Sequence, residues 1–239
     1  MKSPAIAEKA RSSPDPRPDF GHVKSWIFDL DNTLYCAGNG IFAQIESRMT
    51  DYLAAFLNLP RDQARVRQKE LYRQYGTTLN GLMREHDCDA EDYLGFVHDI
   101  DLDALGPDAA LSAALAALPG KRFVFTNGCR DHARRILERL EMAHLFEVVW
   151  DIRTIGFAPK PQVSAYDRVV AAGGVNPRES AMFDDIARNL VPARALGMTT
   201  VWLKTDAPWG NHGPLMDVSA GDIDHETDNL TQFLQSIRI

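Results

Sequence analysis

Four short polar clusters carry the residue types needed for cation binding and nucleophilic chemistry. The first, FDLDNTLY from Phe28 to Tyr35, sets Asp29 and Asp31 two residues apart. Carboxylates this close repel one another, and a bound divalent cation relieves the repulsion. Their roles can also differ, one staying ionised as a nucleophile while the other cycles its proton. The second cluster, FTNG, offers the Thr126 hydroxyl, the Asn127 amide and, at Gly128, backbone that a ligand can approach closely. The third is Lys160, held between Pro159 and Pro161, a point positive charge suited to a phosphoryl group. The fourth is MFDDIARN, in which one of Asp184 and Asp185 can ligate a cation while the other holds a water or the lysine. Singly, each cluster has an ordinary reading as an Asx turn, a helix cap, a turn glycine or a surface lysine. Together they supply four carboxylates, a hydroxyl and a lysine, a set that unrelated turns rarely assemble.

The elements around the clusters explain how they could meet. Trp26 to Phe28 is an apolar run closed by Asp29, which predicts a buried strand with the acid at its carboxyl end. Further strands are predicted at Phe123–Phe125, Val148–Trp150, Ala181–Phe183 and Thr200–Leu203, alternating with helices over Asp131–Leu140, Val163–Ala172 and Ile186–Leu196. Asp108 caps a further helix that runs to Leu118 and stops at Pro119 and Gly120. Strand–helix alternation predicts a parallel sheet covered on both faces, with right-handed crossovers. In such a sheet ligands bind beyond the carboxyl ends of the strands, where all four clusters fall. Trp209 to Gly213 reads as a loop, and Leu230, Phe233, Leu234 and Ile237 mark a closing amphipathic helix starting near Thr227.

One segment breaks the alternation. Ile41, Phe42, Ile45, Met49, Leu53 and Phe56 recur mostly at three- and four-residue steps, and further helical pieces follow without a convincing strand until about Asp103. This predicts an all-helical unit over residues 35–103, inserted into a core formed by residues 23–34 and 104–239. Residues 1–22, with Pro4, Pro14, Pro16 and Pro18, read as a flexible arm.

Composition bounds the function. The chain has 239 residues, 45% apolar and 25% charged, enough to bury a sizeable core. Lys plus Arg number 26 against 33 Asp plus Glu, a formal charge of -7 that argues against nonspecific nucleic-acid binding. No stretch approaches the length of a membrane-spanning helix, and MKSPAIAEKARSSP has no apolar block of a secretory signal. Cys36, Cys88 and Cys129 are odd in number and widely spaced, which predicts neither a disulfide framework nor a zinc cluster. A cytoplasmic protein is the expectation, with neither nucleic acid nor membrane as partner.

In type and order the motifs resemble those of the haloacid dehalogenase superfamily, on its phosphatase side. That pattern is DxDx followed by Thr or Val, a strand-end Thr or Ser, a Lys, and a late acidic pair; here these are Asp29–Thr33, Thr126, Lys160 and Asp184–Asp185. The resemblance spans residues 24–234 and implies an α/β fold, a doubly wound, mostly parallel, Rossmann-like sheet with an inserted all-helical cap domain. It further implies Mg2+-dependent phosphomonoester hydrolysis through an aspartyl phosphate. Asp29 would be the nucleophile and Asp31 the acid and then the base. Thr126, Asn127 and Lys160 would bind the phosphoryl group with Asp29. Asp29, the Asp31 carbonyl and Asp185 would hold Mg2+, with Asp184 acting directly or through water. An acid at Asp31 suits phosphate esters, because the dehalogenase members lack it. FDLDNTLY, YGTT (Tyr75 to Thr78), FTNG and ETDNL (Glu226 to Leu230) resemble the pyrimidine 5'-nucleotidase-type branch, which implies a pyrimidine nucleoside 5'-monophosphate as substrate. Phosphoglycolate or a sugar phosphate is the alternative, and mutase activity a more distant one. A non-enzymatic receiver-like phospho-acceptor is disfavoured because receivers carry the acidic pair first and the acceptor later. Tyr75, Thr77, Thr78, His86 and His98 are the candidate substrate contacts on the cap, Arg130 could approach phosphate or a cap carboxylate, and Cys129 reads as a packing residue. The chain is expected to be a monomer or homodimer.

Overall fold

The computed structural model describes residues 16–205, 218 and 221–239. Its apolar runs form β1 (Ser25–Phe28), β2 (Lys121–Phe125), β3 (Val148–Trp150), β4 (Ser180–Asp184) and β5 (Thr199–Leu203), joined at one edge by β6 (His225–Thr227). The strands lie in the order β3-β2-β1-β4-β5-β6, every pair parallel. Successive strand side chains point to opposite faces, so Trp26 and Phe28 enter one core and Ile27 the other. Phe28 is in register with Phe183, and their rings stack with centroids 4.7 Å apart. Helices α5 (Ala109–Ala116), α6 (Arg130–Arg139) and α9 (Leu230–Ser236) cover the Phe28 face, burying Leu111, Ile136 and Phe233. Helices α7 (Val163–Gly173) and α8 (Ala187–Ala195) cover the other through Tyr166 and Leu190. This is the expected doubly wound architecture. The chain leaves β1 on one side for β2 and β3 and occupies the other with β4 to β6, so the strand order reverses between β1 and β4. A crevice at the carboxyl ends of such a pair is the binding position of this architecture.

Between β1 and β2 the regular elements are helical: α1 (Ile41–Phe56), α2 (Arg61–Tyr75), α3 (Thr78–His86) and α4 (Ala90–Val97). Helix α1 buries Ile41, Ile45 and Leu53 of its periodic stripe, with Phe42 and Met49 half-buried and Phe56, at the helix end, exposed. Gly76, at φ +85°, ends α2. The Thr77 side chain accepts the Asn80 N–H to start α3, and Asp89 does the same for α4 through Glu91 and Asp92. Tyr52, Leu71, Leu82 and Tyr93 share an apolar cluster with Ile27 and Phe123 of the sheet. Ile41 and Ile45 of α1 join the other core, with Phe28, so the helices touch both.

Two expectations need correction. Residues Pro18 to His22 are not part of a free arm. Phe20 is fully buried, its N–H donates to the Arg238 carbonyl at 2.8 Å, and the Arg238 N–H donates to the Pro18 carbonyl at 2.9 Å. An aromatic ring that stacks on Trp26 at 5.8 Å outweighs the proline content of the segment. The last helix begins at Leu230 rather than Thr227, because Asn229 caps it and His225–Thr227 pairs with β5 as an edge strand. The proposed arm over residues 1–15 and the Trp209–Gly213 loop lie outside the described residues. Among the described residues no helix is long and apolar enough to cross a membrane.

The turn into β2 depends on Gly120, at φ +81°, where an added Cβ would fall 2.2 Å from the Lys24 carbonyl oxygen. Gly120→Ala is expected to cost about 2 kcal/mol or more, which for a chain of this size lowers Tm by roughly 4–8 °C. Gly174→Ala, at φ +57° with open space around the new Cβ, is the control and should cost less. Equal losses in thermal unfolding would mean that the carbonyl clash contributes nothing.

Candidate active site

Asp29 leaves β1 with its N–H still donating to the Phe183 carbonyl at 2.8 Å, so the β1–β4 pairing itself aims the carboxylate into the crevice. Lys160 meets it there. The Lys160 ammonium donates to Asp29 Oδ1 at 2.7 Å, to Asp184 Oδ2 at 2.7 Å and to the Phe125 carbonyl at 2.8 Å. All three of its protons are used, and the side chain is buried. Burial alone would depress the ammonium, but Asp184 and Asp29 outweigh it and hold the lysine above its ordinary value. Asp29 is pushed up to about 7 by burial, against the pull of Lys160 and with the charges of Asp184 and Asp31 adding to the rise.

Asn127 fixes where Lys160 sits. Its Oδ1 accepts the Lys160 N–H at 2.8 Å and its Nδ2 donates to the Lys160 carbonyl at 3.2 Å. That two-point clamp engages Asn127 Oδ1 and one Nδ2 proton, while the residue still lines the cavity with Thr126 and Gly128. Thr126 is free to bind phosphate. Its Oγ1 accepts the Gly128 N–H at 2.9 Å, which leaves the hydroxyl hydrogen to donate into the crevice.

The two residues of the late acidic pair behave differently. Asp184 is engaged at both oxygens: Oδ2 takes Lys160, and Oδ1 takes the Ile186 N–H and Asn189 Nδ2, both at 2.9 Å. Asp185 Oδ2 is buried with no hydrogen-bond partner. Burial, then the charges of Asp29 and Asp184, push its carboxyl well above the ordinary range. Oxygens of Asp29, Asp184 and Asp185 lie within 4.8 Å of one another. Three carboxyl groups share the single Lys160 ammonium in a buried space, so without a further cation their mutual repulsion opposes ionisation of all three. A hard divalent cation fits that donor set, and the orphaned Asp185 oxygen is the strongest sign of it.

Asp31 stands apart from this cluster. Tyr35 donates its hydroxyl to Oδ1 at 2.5 Å, and His132 Nε2 lies 2.8 Å from the same oxygen. Burial raises the Asp31 carboxyl, but the charge and hydrogen bond of His132 and the Tyr35 hydroxyl outweigh it, and the net displacement is downward. Asn32, at φ +61°, turns the chain away immediately afterwards. Neither Tyr35 nor His132 was singled out by the sequence. The four-residue step from Asp31 to Tyr35 and the inward first turn after FTNG are the only local hints.

A cavity of about 300 Å³ opens over these groups. Asp29, Asp31, Thr126, Lys160 and Asp185 line its floor, and Thr77, Thr78 and His98 from the helical segment line it too. Burial pushes the His98 imidazole down to about 3. Tyr75 and His86 are not among the lining residues. The Tyr75 hydroxyl donates to Glu85 on the outside of α3, and His86 is an exposed helix-end residue beside Glu85. Both follow the outer side of the helices, which corrects the expectation that they contact substrate. Arg130 is exposed, with its N–H donated to Asp151, and Cys129 is buried with its thiol pushed up chiefly by burial, as expected of a packing residue. Arg188, unnoticed in sequence, also lines the cavity and hydrogen-bonds the Tyr72 hydroxyl of α2.

Comparison with known proteins agrees with this geometry. A family model described as haloacid dehalogenase-like hydrolase matches residues 23–197. Phosphate metabolism protein 8 of Saccharomyces cerevisiae is 29% identical over 202 residues, which cover 77% of this chain and 62% of the yeast protein. The chain thus spans less than two thirds of that relative. Among solved structures, a HAD phosphatase from Thermococcus onnurineus is 20% identical, covering 91% of this chain and 100% of that one at a TM-score of 0.58. The HAD-hydrolase YfnB from Bacillus subtilis is 16% identical, covering 91% and 99% at a TM-score of 0.54. At these identities the structures speak for the fold, and the family model speaks for the chain. Matched over well more than half its length, the chain belongs to the haloacid dehalogenase-like hydrolases.

Proposed function

We propose that this protein is a Mg2+-dependent phosphomonoester hydrolase that forms an aspartyl phosphate on Asp29 and acts on a small phosphorylated metabolite, specifically a pyrimidine nucleoside 5'-monophosphate. One observation carries the reading. Asp29 and Asp31 line the same cavity, the first in contact with Lys160 and the buried acids, the second outside that cluster and held by Tyr35 and His132. The protein's own groups raise Asp29 and lower Asp31; a cation held by Asp29 and a phosphoryl dianion beside Asp31 would move each the other way, towards an ionised nucleophile and a proton carrier.

In this mechanism Lys160 keeps Asp29 aligned and offsets charge on the phosphoryl group, while the Thr126 hydroxyl donates to a phosphoryl oxygen. Asp29 attacks phosphorus; Asp31 gives a proton to the leaving oxygen and then takes one from the water that hydrolyses the intermediate. Mg2+, held by the carboxylates of Asp29 and Asp185 and the Asp31 carbonyl, would supply positive charge that offsets the phosphoryl oxygens. Asp184, with both oxygens engaged, serves to hold Lys160 and the turn into α8. The Bacillus subtilis YfnB structure is one bound to magnesium, which supports the choice of ion. Residues 35–103 act as the cap, and residues 23–34 and 104–239 as the core. From the helical segment Phe42, Met49 and Tyr72 bring apolar or aromatic surface to the cavity, alongside the polar Glu46, Arg65, Gln68, Lys69 and Arg73. The aromatic and apolar part of that lining is what supports a nucleobase. Three free thiols suit a reducing cytoplasm.

Asp29→Asn should reduce Mg2+-dependent phosphate release to background while the protein stays folded; retained turnover would remove Asp29 as nucleophile. UMP and CMP should exceed AMP, GMP, phosphoglycolate and sugar phosphates by about tenfold or more in kcat/KM, roughly 1.4 kcal/mol of transition-state discrimination. A preference for phosphoglycolate or a sugar phosphate would keep the chemistry and reject the nucleotide.

Asp185 makes a separate prediction. A carboxyl raised on folding costs nothing below its unfolded-state value, and stability falls as the pH climbs from there through its folded-state value. At neutral pH without metal, Asp185→Asn should therefore raise Tm. Magnesium at a hundredfold over its Kd should raise wild-type Tm by about 5–10 °C, and the variant should lose that rise. A variant that responds to magnesium like wild type would exclude Asp185 as a ligand.

A further inference from the structure

The surroundings of Asp31 go beyond what an acid–base carboxylate alone requires. Both bonds to it, from Tyr35 at 2.5 Å and His132 at 2.8 Å, end on Oδ1. Oδ2 faces the Gly128 side, where an added Cβ would lie 3.7 Å from it, 3.4 Å from the His132 ring and 3.3 Å from Thr126 Oγ1. Oδ2 thus lies beside Gly128, which lines the cavity, while His132 and Tyr35 hold the other oxygen. Tyr35 is a dependable donor, because burial and the neighbouring Asp31 keep its hydroxyl protonated.

His132 is itself braced. Its ring stacks on His98 with centroids 4.4 Å apart and planes 18° from parallel. His98 caps the end of α4, and its Nδ1 lies 3.1 Å from the Leu94 carbonyl and 3.3 Å from Cys129 Sγ. His132 Nδ1 is buried without a partner, so the stack and the single bond to Asp31 are what orient the ring. The brace comes from the helical segment, the ring from α6, and the carboxylate from the end of β1.

We propose that Tyr35 and His132 are positioning residues for Asp31, holding Oδ1 so that Oδ2 alone faces the reacting oxygen, with His98 fixing the His132 ring. This rests on the phosphatase reading. In the first step an Asp29 oxygen bonds to phosphorus, the bond to the ester oxygen breaks, and the proton on Asp31 Oδ2 goes to that oxygen. In the second, Oδ2 takes a proton from water, the water oxygen bonds to phosphorus, and the Asp29–phosphorus bond breaks. The proton given first is regained, so any misplacement of Oδ2 slows both steps.

The test compares an alkyl phosphomonoester with p-nitrophenyl phosphate, whose leaving group needs little protonation, in wild type, Tyr35→Phe, His132→Leu and His132→Gln. Thermal unfolding establishes that each variant is folded. Tyr35→Phe, which removes one hydroxyl, provides an answer if His132→Leu fails to fold. Tyr35→Phe and His132→Leu should lower kcat for the alkyl ester by roughly tenfold or more, with KM little changed. Phosphorus–oxygen cleavage of the nitrophenyl ester in a single turnover should fall far less, and acid-quenched phosphoenzyme should accumulate because hydrolysis of the intermediate is slowed. His132→Gln, which restores a donor of similar reach, should recover part of the lost kcat. Equal losses on both esters without accumulating phosphoenzyme, or unchanged kinetics, would overturn the positioning role alone. Wild type that releases no phosphate from either ester, or Asp29→Asn that still releases it, would overturn the phosphatase reading and this proposal with it.

Discussion

The site is organised by one buried ammonium. Lys160 places its three protons on Asp29, Asp184 and the Phe125 carbonyl, and so ties together the carboxyl ends of β1, β4 and β2. Withdrawing that charge and two carboxylates from water costs several kcal/mol per ion, which their mutual attraction offsets only with good geometry. The geometry is supplied from outside the trio: Asn127 clamps the lysine backbone, and Ile186 and Asn189 satisfy the remaining Asp184 oxygen. A buried ion cluster of this kind is a poor device for stability. It is a good one for holding Asp29, the proposed nucleophile, still beside Asp185.

The arrangement also leaves the cluster unfinished. Asp185 has a buried oxygen with nothing to accept from, and Asp29 is raised to about 7 chiefly by burial. Asp31, two residues further, is displaced the other way by His132 and Tyr35. The contrast follows from the backbone. Asp29 still belongs to the β1–β4 ladder and faces the acids of β4, whereas Asp31 lies past the strand and faces α6. One short motif thereby presents two carboxylates with different surroundings to a single cavity.

The helical segment contributes more than a roof. His98, at the end of α4, stacks on the ring that bonds Asp31, and Tyr72 of α2 bonds Arg188 at the start of α8. Both contacts join the helices to residues at the cavity, so a movement of the helices would be felt at Asp31, the proposed acid–base group, as well as at Arg188.

Much of this was legible in the sequence. Apolar runs closed by Asp29 and Asp184, strand–helix alternation, and the periodic stripe of α1 depend on local pattern, so strand ends and the order of the four clusters could be read directly. The edge strand β6 could not, since His225–Thr227 has no apolar alternation and exists only because β5 offers a partner. Nor could the packing of Phe20, whose partners Trp26 and Arg238 lie on separate segments. At the site, sequence named the carboxylates, Thr126 and Lys160, but not the hydrogen bonds of Asn127 to a loop 33 residues away, the outward course of Tyr75 and His86, or the pairing of Asp31 with a histidine 101 residues distant. Residue type and local spacing determine which groups are available and which strand end they occupy. Which oxygen of a carboxylate is taken and which is left free depends on long-range contacts, and those exist only once the sheet has aligned segments that are far apart in the chain.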